Sequence, residues 1–95
     1  FDRNSVAPRY HAFHQAYHDR FKQEPGFGGT AAFDAANVVL DALAQRPSRQ
    51  SLKQTVLVMH RFEGVQNSLI FDDFGDAKRQ TFITVIQGGR FIVVE

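Results

Sequence analysis

The chain has 95 residues, of which 43% are hydrophobic and 13% aromatic, and this is enough for one small domain with one core. Eleven basic residues balance ten acidic ones, which excludes the strong positive field typical of nucleic-acid-binding proteins. The absence of cysteine excludes disulfides, thiolate nucleophiles and zinc–thiolate sites, and no apolar run approaches the roughly 18 to 20 residues of a membrane span.

Two helices are predicted in the first half of the chain. Over residues 9–21 four aromatic side chains recur at intervals of three and four, which predicts an amphipathic helix that begins just after Pro8. A glycine-containing loop over residues 23–29 follows it. Thr30 is then predicted to cap a second, alanine-rich helix over residues 31–44, because its hydroxyl can accept a hydrogen bond from an unpaired amide. The residues predicted to form its buried face are Phe33, Ala36, Val39, Leu40 and Leu43.

The second half changes from helical to extended character. A third helix is predicted over residues 48–60, and alternation of polar and apolar residues predicts a strand over 68–71, followed by a turn over 72–76. Two β-branched runs, 81–86 and 90–94, flank Gly88 and Gly89, which predicts a closing β-hairpin. The fold class is therefore α/β, with three helices, a short strand and a C-terminal hairpin. No repeat or linker divides residues 1–95 into separate units.

No residue pattern gives positive support for catalysis or a cofactor. His11, His14 and His18 lie on one predicted helix at spacings that permit a metal site, but an exposed polar flank beside the aromatic stripe is the favoured interpretation. Gly26, Gly28 and Gly29 precede a helix as in a phosphate loop, yet the preceding strand and the lysine of such loops are missing. The start of that helix leaves open the binding of a carboxylate ligand.

Short motifs recur along nearly the whole chain in a definite order, and the order is more informative than any one motif. They are Asn4-Ser5, Pro8-Arg9-Tyr10, Phe13 with Tyr17 and Arg20-Phe21, Glu24-Pro25, Ala32-Phe33-Asp34-Ala35-Ala36, Leu40-Asp41-Ala42-Leu43, Arg49 to Leu52, Gly64-Val65-Gln66, Ile70-Phe71-Asp72, Gly75-Asp76 and Gly88-Gly89-Arg90-Phe91. Together they resemble the C-terminal part of type I periplasmic solute-binding proteins of the branched-chain amino-acid (Leu-Ile-Val-binding-protein-like) family.

The resemblance implies that residues 1–95 form one C-terminal segment of a larger ligand-binding domain with two lobes. It implies a ligand-binding role for Phe27 and Gly28, with Gly29 as their neighbour, because family members place a ligand-lining residue just before the alanine-rich helix. The main ligand clamps of the family lie in segments upstream of those that these 95 residues match. The family usually has tyrosine where this chain has Phe33.

Three functional hypotheses follow from the resemblance and the composition. The first is an extracytoplasmic or periplasmic substrate-binding protein of an ABC transporter, which delivers a small polar ligand such as an amino acid to a membrane permease. The second is the ligand-binding sensor domain of a membrane receptor, linked to a signalling module. The third is a small α/β interaction module without a small-molecule site, which requires a self-contained hydrophobic core. None of the three is an enzyme. If the 95 residues stand alone, the apolar strands near the end predict self-association.

Overall fold

The computed structural model describes residues 1–95, the whole of the sequence. Three helices precede five short strands. The elements are α1 (Pro8–Phe21), α2 (Phe27–Gln45), α3 (Leu52–Met59), β1 (Arg61–Glu63), β2 (Ser68–Phe71), β3 (Ala77–Lys78), β4 (Thr84–Gln87) and β5 (Arg90–Val93). No helix has the length and apolar character needed to cross a membrane.

Helix α1 confirms the prediction made from its aromatic spacing. Pro8 occupies the first turn, where its missing amide hydrogen removes no helical hydrogen bond. The helix ends at Lys22, which adopts a left-handed backbone conformation and donates its amide hydrogen to the carbonyl oxygen of His18. Of the aromatic stripe, Tyr10 and Phe13 are buried, whereas Phe21 at the far end is exposed.

Helix α2 begins earlier than predicted, at Phe27 and not at residue 31. Gly26 is the N-cap residue, and its carbonyl oxygen accepts hydrogen bonds from both the amide (3.1 Å) and the hydroxyl (2.9 Å) of Thr30. The prediction that Thr30 caps the helix as an acceptor is therefore wrong. Its hydroxyl acts as a donor one turn inside the helix, and this closes the first turn in spite of the low helix propensity of Gly28 and Gly29.

The predicted buried face of α2 is also wrong. The residues that the structure buries are spaced four apart, at Thr30, Asp34, Val38 and Ala42. Small side chains on this face let α3 and the first sheet approach closely. Most of the larger apolar side chains lie on the opposite side of the helix, where Leu40 remains 60% exposed and Leu43 50% exposed. The other members of the predicted face, Phe33, Ala36, Val39 and Leu43, are exposed as well.

Helix α3 is shorter than predicted but starts with a regular cap. The hydroxyl of Ser51 accepts a hydrogen bond from the amide of Gln54 at 3.0 Å. Buried Thr55 keeps its hydroxyl paired, because two acceptors, the carbonyl oxygen of Ser51 and Oε1 of Gln50, each lie 2.9 Å from it and its one hydrogen is donated to either. His60 ends the helix in a left-handed conformation and leads directly into the first strand.

The strands form two separate antiparallel sheets. The first has the order β1-β2-β3, with Phe62 opposite Leu69 and Ile70 opposite Lys78. Strands β1 and β3 were not predicted from the sequence, whereas β2 and its following turn were. The second sheet is the predicted hairpin of β4 and β5, in which Gly88 and Gly89 both have the positive φ angles that the tight turn requires.

The hydrophobic core is small, because only 12 of the 95 residues are buried. One cluster joins α1 to the β1–β2 connection through Tyr10, Phe13 and Val65. The other joins α2 to the first sheet through Val38, Phe62 and Leu69. The molecule measures 53 × 30 × 19 Å, and its thinnest dimension holds about two layers of secondary structure at the usual spacing of roughly 10 Å. Few side chains can be enclosed in so thin a body.

Candidate functional site

The buried carboxylate of Asp34 is the polar centre of the molecule. Asp34 lies in the middle of α2 and is only 6% exposed. Its Oδ1 atom accepts a hydrogen bond from the amide of Val65 at 3.0 Å, and its Oδ2 atom lies 3.0 Å from a guanidinium nitrogen of Arg79. A buried carboxylate is costly unless it is paired, and here both oxygens have a donor. Asp34 thereby joins α2 to the β1–β2 connection and to the segment that precedes β4.

Gly64 makes room for this carboxylate. A Cβ atom at Gly64 would lie 2.8 Å from Oδ2 of Asp34, 2.5 Å from the carbonyl oxygen of Asn67 and 2.9 Å from Cδ1 of Leu69. The same carbonyl oxygen of Asn67 accepts a hydrogen bond from the amide of Gly64 at 2.9 Å. The β1–β2 connection can thus approach α2 closely only because residue 64 has no side chain.

A cleft of about 280 Å³ opens beside this centre, and its walls come from the three segments that Asp34 joins. The first turns of α2 form one wall, the β1–β2 connection forms the second, and the segment before β4 forms the third. Its lining residues are Phe1, Phe27, Thr30, Ala31, Asp34, Gln66, Asn67, Arg79, Gln80, Thr81 and Phe82.

Of the residues predicted to bind a ligand, the structure places Phe27 in the wall of this cleft. Its ring is 67% exposed and meets the ring of Phe1 edge to face, with the ring centroids 6.3 Å apart. Gly28 is exposed, with no atom within 4 Å of the position of a Cβ atom, and does not line the cleft. A Cβ atom at Gly29 would lie 3.6 Å from Cε2 of Tyr17, and Gly29 lies outside the cleft too.

The first turn of α2 presents polar hydrogen-bond donors beside Phe27. No side chain caps this helix, so the amides of Phe27, Gly28 and Gly29 precede the first residue with a helical acceptor, Thr30. Unpaired amides and the positive end of the helix dipole both favour negative charge. The start of α2, beside the cleft, is therefore chemically suited to a carboxylate group.

The other candidate residues of the sequence are not brought together into a site. No three His, Cys, Asp or Glu side chains are placed to hold a metal ion, and the one carboxylate near His14 is that of Glu24, with 3.9 Å between Nε2 and Oε1. In the turn after β2, the Oδ1 atom of Asp72 accepts hydrogen bonds from the amides of Phe74 and Asp76, both at 2.9 Å. The acidic residues there form the predicted solvated turn.

A second, more apolar groove lies between α1 and α2. Its volume is about 620 Å³, and its floor contains the rings of Phe13 and Phe33, whose centroids are 4.4 Å apart. Tyr17 and Phe21 continue this surface along α1, with their ring centroids 4.7 Å apart. The groove has no polar centre comparable to that of Asp34.

Two titratable groups outside the cleft are perturbed. Burial raises the pKa of Tyr10, and the negative charge of Glu24 raises it further, while its hydroxyl has no hydrogen-bond partner. The pKa of Glu63 is lowered, first by the hydrogen bond from the hydroxyl of Ser68 (2.9 Å) and then by the hydrogen bond from Arg61 (3.2 Å). Neither group has a role in the cleft.

Comparison with known proteins identifies the fold. No protein-family model and no curated protein matches the chain. A solved structure does match, the crystal structure of an ABC transporter substrate-binding protein from Desulfitobacterium hafniense in complex with Leu, with a TM-score of 0.83 and 22% sequence identity. The match covers 99% of this chain but only 29% of that protein. It confirms the predicted α/β fold and the resemblance to part of a substrate-binding protein.

Proposed function

We propose that residues 1–95 form the C-terminal segment of a two-lobe, extracytoplasmic solute-binding protein of an ABC transporter. The observation that carries the proposal is the likeness over 99% of the chain to a substrate-binding protein that holds Leu. The segment contributes to the binding of a small polar ligand, in the first instance an amino acid, which the whole protein delivers to a membrane permease. It has no catalytic role in this proposal.

The small core supports the proposal that these residues are one segment of a larger protein, whose other parts cover their exposed apolar faces. Helix α2 exposes a row of large apolar side chains that includes Leu40 and Leu43, and the hairpin exposes Ile86 and Phe91. Exposed apolar surface of this extent is unusual for a monomeric domain and normally contacts another layer of structure. The chain spans 29% of the solved substrate-binding protein, which leaves the larger part of such a protein to supply that layer.

The same observation disfavours the small interaction module. That hypothesis requires a self-contained core, whereas the two buried clusters contain three residues each. A domain of this length normally buries about 60% or more of the surface that its unfolded chain exposes. Solute binding within a larger protein accounts better for the exposed faces.

The proposed ligand-binding residues are Phe27, Gly28 and Gly29. The exposed ring of Phe27 would contact the apolar part of the ligand, and the first-turn amides of α2 would receive its carboxylate. The two glycines keep these amides free of side-chain cover. The cleft is open on one side, so the facing lobe would supply the remaining contacts.

The test is a thermal-shift measurement on the complete two-lobe protein, with L-leucine as the first probe and a panel of amino acids and other small polar solutes after it. A ligand at one hundred times its dissociation constant stabilises a protein by about 2.7 kcal/mol, which is readily seen as a rise in Tm. If no solute of the panel raises the Tm, the proposed function is wrong.

A pair of phenylalanine variants locates the site. Phe27→Ala should reduce the ligand-induced shift, because it removes the ring that lines the cleft. Phe74→Ala serves as the matched control, since Phe74 is 91% exposed in the turn before β3 and lies outside the cleft. Equal ligand-induced shifts in the two variants would remove Phe27 from the binding site.

A further inference from the structure

The hairpin is linked to the rest of the molecule by a single hydrogen-bonded ion pair. Between residues 79–95 and residues 1–78, the ion pair of Arg79 with Asp34 is the one hydrogen-bonded link. The backbone hydrogen bonds of Ile83 and Val94 stay within the hairpin and its extension. We call residues 79–83 the strap, because they connect β3 to β4 without forming regular structure.

The Asp34 end of this contact is held in a fixed position. Its Oδ1 atom is occupied by the amide of Val65, and the surface of Gly64 leaves space for Oδ2. The carboxylate therefore cannot rotate freely to follow the strap. Arg79, whose side chain is 35% exposed, must come to Asp34. The fixed Oδ2 atom of Asp34 thus determines where Arg79, and with it the strap, is held.

The strap is also the third wall of the cleft, through Arg79, Gln80, Thr81 and Phe82. The opposite wall is the first half of α2, which carries Asp34 itself. We propose that Asp34 is a positioning residue that holds the strap against α2 and so sets the width of the cleft. The inference concerns the geometry of the cleft; that the cleft receives a solute rests on the proposed function.

The position of the hairpin can be measured without any ligand. Residues 1–95 contain no cysteine, so once any cysteine in the rest of the complete protein is replaced by serine, spin labels can be attached at Ala32→Cys on α2 and Gln87→Cys on the hairpin, both at exposed positions. Double electron–electron resonance on the complete protein then gives the distribution of distances between them. With Asp34 and Arg79 intact, we expect one narrow distribution.

Two variants break the ion pair and two matched controls leave it intact. Asp34→Asn keeps an oxygen for the amide of Val65 but removes the charge that holds Arg79, and Arg79→Gln removes the other partner. Both should broaden the distance distribution. Asp41→Asn on the exposed side of α2 and Lys78→Gln next to the strap make the same charge changes and should leave it narrow. Circular dichroism of each variant confirms that the helices remain folded.

The expected result in binding is a weaker affinity for L-leucine, by about tenfold or more, in Asp34→Asn and unchanged affinity in Asp41→Asn. Arg79→Lys should recover part of the narrow distribution, because it restores the positive charge. If the distribution stays narrow in Asp34→Asn and Arg79→Gln, other contacts hold the strap and the inference is overturned. A broadened distribution with unchanged affinity for L-leucine would overturn the claim about cleft width. A failure of L-leucine and every other solute to bind the unaltered protein would count against the proposed function alone.

Discussion

Adding one methyl group at Gly64 should destabilise the protein, whereas the same change at Gly28 should not. In Gly64→Ala the new Cβ would lie 2.5 Å from the carbonyl oxygen of Asn67 and 2.8 Å from Oδ2 of Asp34. The first of these is a backbone atom in the same tight connection, and it already accepts the amide hydrogen of Gly64. The connection must therefore move away from α2, which weakens the hydrogen bond from Val65 to Asp34.

The magnitude follows from the usual cost of forcing an extra methyl group into a packed site, about 1–3 kcal/mol. For a domain of this size each 1 kcal/mol lowers Tm by roughly 4–8 °C, so a fall of about 4–24 °C is expected. The assay is urea and thermal unfolding followed by far-ultraviolet circular dichroism.

Gly28→Ala is the matched control for this measurement. Nothing lies within 4 Å of a Cβ atom at Gly28, and alanine has the higher helix propensity, so this variant should be unchanged or more stable by up to about 1 kcal/mol. If the free energy of unfolding of Gly64→Ala lies within about 0.5 kcal/mol of that of the unaltered protein, the close approach at Gly64 does not constrain the fold.

Three further predictions follow from groups outside the cleft. Tyr10→Phe removes a buried hydroxyl that has no hydrogen-bond partner and should leave the Tm unchanged or raise it. In the unaltered protein the pKa of Tyr10 is raised in the folded state, so the free energy of unfolding should fall as the pH rises above 10.0. Ser51→Ala removes the hydroxyl that accepts a hydrogen bond from the amide of Gln54 and should lower the free energy of unfolding in urea by about 1 kcal/mol. An unchanged free energy of unfolding would show that this cap contributes nothing. Glu63 should titrate by NMR below 4.5, with its small contribution to stability present above that pH and lost as the pH falls through its folded pKa, and Ser68→Ala should move the titration back toward 4.5.

Local patterns were sufficient to predict the elements whose stability is local. The aromatic spacing and Pro8 identified α1, and the adjacent Gly88 and Gly89 identified the hairpin turn, because each pattern determines its own backbone geometry. Strands β1 and β3 contain three and two residues, which is too short for any periodicity to appear. They become strands only through their hydrogen bonds with β2, which is a contact that the local sequence does not show.

The buried face of α2 could not be predicted from hydrophobicity alone. A helix with apolar residues on two sides has two candidate faces, and the sequence favoured the side with the larger residues such as Leu40. The structure buries the side with Val38 and Ala42, because α3 and the first sheet lie there. In the proposed two-lobe protein, the larger residues would pack against other parts of the chain.

Of the residues around the cleft, the sequence indicated only Phe27, and its ligand-binding role stays a prediction. The family resemblance pointed to Phe27, which lines the cleft, but no prediction from the sequence pointed to Asp34 and Arg79, which are 45 residues apart. A charged residue in a helix is normally read as part of a solvated face. The available signal was that Asp34 lies four residues from both Thr30 and Val38, on the slim face of an alanine-rich helix.

The strap is also the segment at which we expect proteolysis of the chain to begin. Its amides at residues 80–82 donate no backbone hydrogen bond, and exposed segments of this kind are where proteases first cut. Arg79 supplies the basic residue after which trypsin cleaves, and the same side chain is held by Asp34. Once cut there, the hairpin would leave as a lone two-stranded ribbon, which is marginally stable in water, and would present Ile86 and Phe91 to other chains. The ion pair that positions the hairpin therefore also holds the side chain that trypsin must bind in order to cut the strap.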